Sequence, residues 1–321
     1  MLEKNASLFR DIGARLRRLN SPVIVTCGRG SSDHAAGYFK YLTEIMLGIP
    51  VASLGPSLAS VYAAPLQLQG AAMLTISQSG LSPDIIALQK AARHAGALTI
   101  AIVNSADSPI ACGADCVVPL HAGLEQSVAA TKTFLASCAA GAALVAEWAG
   151  DGALSAAVQR LPETLHRALA QDWSAADVLV DMPSLYVLAR GPGLPIAGEA
   201  ALKLKETASL HAEAYSMAEV MHGPLQLIGQ GFPVLSLVPD DRAADSTRHA
   251  LTKLVTGGAS VFTATTLDMP GQHLPVASSG HGLTDPISMI QSFYRFAERL
   301  ARLRGHNPDT PARLRKVTET F

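Results

Sequence analysis

Ser21-Pro22-Val23-Ile24-Val25-Thr26 runs straight into Cys27-Gly28-Arg29-Gly30-Ser31-Ser32. A β-branched run that meets glycines, followed by a helical pattern over 34–46, reads as strand, tight turn and helix. The same order returns about 160 residues later, and a long-period repeat of this kind points to duplicated architecture. There, 184–188 is apolar, Ala189-Arg190-Gly191-Pro192-Gly193 follows, and a helical pattern covers 195–210. Further strands are expected at 73–76, 98–103 and 116–119, and then at 233–238 and 260–263, with helices between them. Alternation of β and α segments at this spacing makes parallel sheets wrapped by helices. The expected fold is α/β: two tandem doubly wound parallel-sheet domains, 1–155 and 156–321, joined through Gly150-Asp151-Gly152 and a helix at 154–171. Ligands of such sheets lie at the carboxyl ends of the strands.

Composition narrows the function. The chain has 321 residues, enough for two cores. Charged residues are 16% of it, against about 25% in an average soluble domain, so part of the surface is expected to be interface. Twenty-five Lys+Arg against 26 Asp+Glu give a net charge of -1, which provides no electrostatic footprint for nucleic acid or an anionic membrane. Cys27, Cys112, Cys116 and Cys138 sit in a chain long enough to fold without disulfides, with no secretory signal before them, so reduced thiols and a cytoplasmic location are expected. The longest nearly apolar run, 138–148, contains Glu147 and falls short of the ~20 residues that span a bilayer. Arg10, Arg15, Arg17 and Arg18 lie among Leu8, Ile12 and Leu16 with Glu3 and Asp11, which fits an amphipathic helix better than a targeting peptide.

The first glycine turn is not a dinucleotide fingerprint, because Asp33 stands where the third glycine would face the pyrophosphate. It is either a plain βα turn or a turn whose residues, Arg29, Gly30 and Ser31, let a small anion approach backbone N–H groups. Ser77-Gln78-Ser79-Gly80-Leu81-Ser82-Pro83 says more. Ser82 suits an N-cap and Pro83 the first helical position. Capping needs one serine; three hydroxyls and the Gln78 amide at the positive end of a helix suit a phosphomonoester.

Glu199, Lys203 and Glu206 recur at i, i+4 and i+7 and share one helix face. Spacing alone leaves two readings, a solvated salt-bridge stripe or an acid–base group. His211-Ala212-Glu213 has the H-x-E of zinc deaminases, but the P-C-x-x-C they need downstream is missing, and Cys112, Cys116 and His121 have no recognised ligand spacing. No metal site is expected. His222, before Gly223-Pro224, is either plain surface or an acid–base group near neutral pH. The tail, 309–321, carries Arg313, Lys316, Val317 and Thr318 and reads either as a frayed basic tail or, from its Val and Thr content, as an extended segment that docks.

Taken in order, Ser77-Gln78-Ser79-Gly80, Glu125-Gln126-Ser127-Val128-Ala129-Ala130-Thr131-Lys132-Thr133-Phe134, Glu199 through Glu206, His211 through Tyr215 and His222-Gly223-Pro224 resemble the sugar isomerase (SIS) family. The similarity spans residues 21–321 and is strongest to the isomerase half of glutamine-fructose-6-phosphate aminotransferase. It implies a tandem pair of flavodoxin-like SIS domains. It also implies that Ser77, Gln78, Ser79 and Ser82 hold a sugar phosphate and that Glu206 moves a proton between C1 and C2. His222 would open the ring from across a homodimer, Lys203 and Lys316 would assist, and Val128 and Ala130 would touch the sugar. No cofactor is implied. Departures matter as well: Leu2 stands where the synthase's glutaminase domain would begin with a cysteine, Cys27-Gly28-Arg29-Gly30 replaces C-G-T-S, and Ala130 replaces a serine. The expectation is an isomerising deaminase that releases ammonia from glucosamine 6-phosphate. A fructosamine-type deglycase, a simple phosphosugar isomerase and a non-catalytic sugar-phosphate sensor are the alternatives.

Overall fold

The computed structural model describes residues 1–314; 315–321, and with them Lys316, lie outside the described residues. The described chain forms two compact units, Met1–Glu125 with Ala130–Ser155, and Gln126–Ala129 with residues 156–314.

In the first unit, α1 (Ala6–Leu19) leads into β1 (Ile24–Cys27), α2 (Ser31–Leu47), β2 (Val51–Ser53), α3 (Ser57–Ser60) and β3 (Ala72–Ser77). Next come α4 (Pro83–His94), β4 (Leu98–Val103), α5 (Pro109–Cys112), β5 (Cys116–Pro119) and α6 (Lys132–Ala149). The strands are all parallel in the order β2-β1-β3-β4-β5. Every residue of β3 and β4 is buried, as suits largely apolar strands covered on both faces. α1 buries Phe9, Ile12 and Leu16, the stripe that makes it amphipathic. It packs on α6 so closely that a Cβ on Gly13 would come 3.0 Å from the Trp148 nitrogen. The alanine-rich stretch 138–148 is thus an interior helix, buried at every residue but Glu147. The low charge that composition assigned to interface is, for this stretch, core, because small side chains let helices approach one another and the sheet.

Helix α7 (Gly152–Ala168) leads into the second unit: β6 (Ser184–Ala189), α8 (Gly193–Ala208), β7 (His211–Ser216), β8 (Pro233–Leu237), α9 (Ala244–Thr256), β9 (Ser260–Ala264), β10 (Gln272–Leu274) and α10 (Asp285–Leu303). Its parallel sheet runs β7-β6-β8-β9-β10, the order of the first sheet strand for strand. The duplication reaches into side-chain detail. A Cβ on Gly96 would meet Gln69 Oε1 at 2.1 Å and one on Gly258 would meet Gln230 Oε1 at 2.2 Å, and both glycines have positive φ. Three strands absent from the sequence reading, β2, β7 and β10, all lie at sheet edges, where one flank is unpaired and apolar runs are not required. Among the described residues, no helix is long and apolar enough to cross a membrane.

Candidate functional site

In the first unit the turns after β1 and β3 lie side by side, since these strands pair in register. Apolar β3 ends at Ser77, and Pro83 at the first helical position starts α4. Between them the chain folds back on its own hydroxyls: Ser77 Oγ accepts the Gly80 N–H at 3.1 Å and Ser79 Oγ accepts the Leu81 N–H at 3.3 Å. Gly80 has φ +67°, and a Cβ there would fall 2.0 Å from Ser108 Oγ, so only glycine fits. Ser82 occupies the N-cap position of α4, yet its side chain makes no capping bond. Among the described residues, the O–H groups of Ser77, Ser79 and Ser82 donate to nothing within the protein, and Gln78 and Ser79 are half-buried. Three hydroxyl donors thus gather at the positive end of a twelve-residue helix.

Arg29 forms an ion pair with Asp84 in the first turn of α4, tying the two turns together. Asp84 is buried whereas Arg29 is about half exposed. The buried Cys27 thiol below them is pushed up to about 12, first by burial and then by the Asp84 and Asp33 carboxylates, which leaves it inert as a nucleophile. Gly28 is required by packing, since a Cβ would lie 2.7 Å from the Asp33 nitrogen. Gly30 precedes α2 with positive φ, and Ser31 is the first residue of α2. Ala130 is half-buried ahead of α6. The start of that helix is fixed by Glu125, whose Oε2 accepts from the Thr133 N–H at 2.9 Å and the Thr133 hydroxyl at 2.5 Å.

The corresponding turn of the second unit, between β8 and α9, carries Asp240 and Asp241 in place of hydroxyls. Burial and the neighbouring Asp240 push the Asp241 carboxyl up. The two corresponding turns thus differ in chemistry, hydroxyls in one and carboxylates in the other.

The second unit supplies the charged helix. On α8, Glu199 and Lys203 are fully buried, whereas Glu206 keeps 23% of its side chain exposed. Lys203 Nζ is hydrogen-bonded to Glu206 Oε2 and lies 3.6 Å from Glu199 Oε1. The spacing therefore marks a buried lysine between two carboxylates, not a solvated stripe. Glu206 opens onto a cleft of about 810 Å³ lined also by His211, His306, Asn307, Thr310 and Arg313. His222 ends a short 3-10 turn after β7, exposed, and among the described residues it makes no side-chain hydrogen bond or ion pair. Val128 belongs to this unit: its N–H donates to the Asp309 carbonyl at 3.4 Å, and Ser127 Oγ bonds Asp309 Oδ1 at 2.5 Å. Asp84 and Asp309 were missed by sequence reasoning. Asp84 looks like an ordinary acid in a helix's first turn, and nothing in the sequence pairs 127 with 309.

A family model described as the SIS domain matches residues 19–147 and 179–267. The chain belongs to the SIS-domain family. Glutamine–fructose-6-phosphate aminotransferase (isomerizing) of Sulfurisphaera tokodaii is 30% identical over 302 residues, covering 93% of this chain and 50% of the relative. This SIS protein thus spans about half the length of the curated relatives it matches. A solved structure of a candidate phosphosugar isomerase from Silicibacter pomeroyi DSS-3 is 46% identical with a TM-score of 0.92, covering 96% of this chain and 94% of that one. The C-terminal domain of glucosamine-fructose-6-phosphate aminotransferase from Francisella tularensis is 25% identical with a TM-score of 0.83, covering 92% of this chain and 88% of that one.

Proposed function

We propose that this SIS protein is a phosphosugar isomerase that acts on an amino-sugar phosphate, taking glucosamine 6-phosphate and water to fructose 6-phosphate and ammonia. The observation that carries this reading is Glu206, a carboxylate at the mouth of a cleft, oriented by the buried ammonium of Lys203. Enolisation needs such a base beside C1–C2, held in one geometry yet reachable by substrate. His222 opens the ring. Glu206 then removes the C2 proton and returns it to C1, giving a ketimine at C2; water adds there and ammonia leaves. Lys203, 2% exposed and bonded to Glu206, acts on the reaction through that carboxylate, whose charge it balances. The hydroxyls of Ser77, Ser79 and Ser82 with the Gln78 amide hold the phosphate, Arg29, Gly30 and Ser31 flank it, and Val128, Ala130 and Lys316 contact the sugar. The exposure of His222 supports its service to a second subunit of a homodimer. Aldose–ketose isomerisation without amine loss uses the same Glu206 step, and the name of the Silicibacter relative favours it as the second reading.

The loop assignment has its own test. Replacing Ser77 and Ser79 together with alanine removes two donors, each worth about 1 to 3 kcal/mol when its partner is left unsatisfied. Calorimetry with a sugar phosphate is expected to give a Kd raised about thirtyfold or more. Unchanged affinity would place the phosphate elsewhere.

A further inference from the structure

The buried lysine of α8 has two carboxylates to choose between, and a residue from another helix biases the choice. Tyr294, half-buried on α10, donates its hydroxyl to Glu199 Oε1 at 3.0 Å. That is the same oxygen that Lys203 Nζ faces at 3.6 Å, while the ammonium makes its closer bond to Glu206. Glu199 is fully buried, so the attraction between its charge and Lys203 is weakly screened. A hydrogen bond from the tyrosine takes up part of the Oε1 charge and occupies one of its lone-pair directions. Both effects weaken the hold of Glu199 on the ammonium and leave Lys203 to the outer carboxylate. We infer that Tyr294 is a positioning residue that, by satisfying Glu199, keeps Lys203 on Glu206.

This rests on the proposed role of Glu206 in proton transfer and adds to it the device that orients the base. Tyr294 bonds Glu199, so the route by which it acts on Glu206 runs through the two charged side chains between.

The test is Tyr294→Phe in the full chain. The ring stays packed beside Phe293, 6.3 Å between centroids, so the substitution removes only the hydroxyl. A crystal structure of the variant is expected to show Lys203 Nζ moved into hydrogen-bond distance of Glu199, and a nitrogen still bonded to Glu206 alone would overturn the inference. With glucosamine 6-phosphate, kcat is expected to fall about tenfold while KM stays within about twofold, the pattern of a disturbed base rather than disturbed binding. In a Glu199→Gln background, where the competing charge is gone, adding Tyr294→Phe should leave kcat where Glu199→Gln alone puts it. An additive loss in the double variant would overturn the inference. Absence of any turnover in the unsubstituted protein would count against the proposed function, and the crystallographic arm would still decide where the lysine goes.

Discussion

Glu206→Gln is expected to lower turnover of glucosamine 6-phosphate by about 10³-fold, within the range that removal of a positioned general base costs. Glutamine keeps the shape of the side chain and can still hydrogen-bond Lys203, so the helix survives and the loss belongs to chemistry. Ring opening is expected to continue, because it is assigned to His222. His222→Ala should slow ring opening most, and an open-chain substrate should partly rescue that variant but not Glu206→Gln. If His222 serves the neighbouring subunit, mixing the two inactive proteins and allowing exchange creates dimers with one intact site and one doubly defective site. Activity should then return toward half of the unsubstituted value per exchanged dimer. Demonstrated exchange without recovery would show that each subunit builds its own site.

Lys203→Met is expected to have the largest effect on stability. Lys203 is 2% exposed, and its removal takes from the fully buried Glu199 the ammonium that lies 3.6 Å away. Stranding one partner of a buried ion pair costs about 3 to 5 kcal/mol. For a unit of this size that corresponds to a melting temperature lower by an amount on the order of 10 °C. Glu206 can still turn to water, so the penalty comes mainly from Glu199. Adding Glu199→Gln to Lys203→Met should therefore recover much of the loss, because the double variant removes the buried carboxylate together with the ammonium. Thermal unfolding of the two variants checks this, and equal instability would mean that Glu199 finds its compensation elsewhere.

The parallel sheets were legible because their central strands are covered on both faces and are largely apolar, with only small hydroxyl residues such as Thr75, Thr99 and Ser236 interspersed. Leu98–Val103 and Cys116–Pro119 came out with the bounds expected from sequence. The first strand began later than expected, at Ile24, after the exposed Pro22 and the half-buried Val23. Edge strands were less legible: Cys116–Pro119 was found, but the other three edge strands of the described residues were not, since His211–Ser216, for one, buries only Ala212 fully, and its histidine and glutamate drew attention as a metal motif. The i, i+4, i+7 placing of Glu199, Lys203 and Glu206 was visible, but a solvated face has the same spacing. What decides between them is α10 packed over α8, a contact set by tertiary structure and invisible in the local pattern. Ser82 was placed correctly at the head of α4, whereas the freedom of its hydroxyl depends on backbone geometry. Composition counts residues without saying which way they face, so the low charge of the alanine-rich stretch 138–148 did not reveal that it is interior.

The most direct measurement incubates the protein with glucosamine 6-phosphate labelled with deuterium at C2, following ammonia release and the product by NMR. The account predicts fructose 6-phosphate and ammonia in equal amounts, with the C2 label lost from C2 and found at C1 or in solvent. A sugar phosphate that binds yet keeps its label at C2 would contradict it.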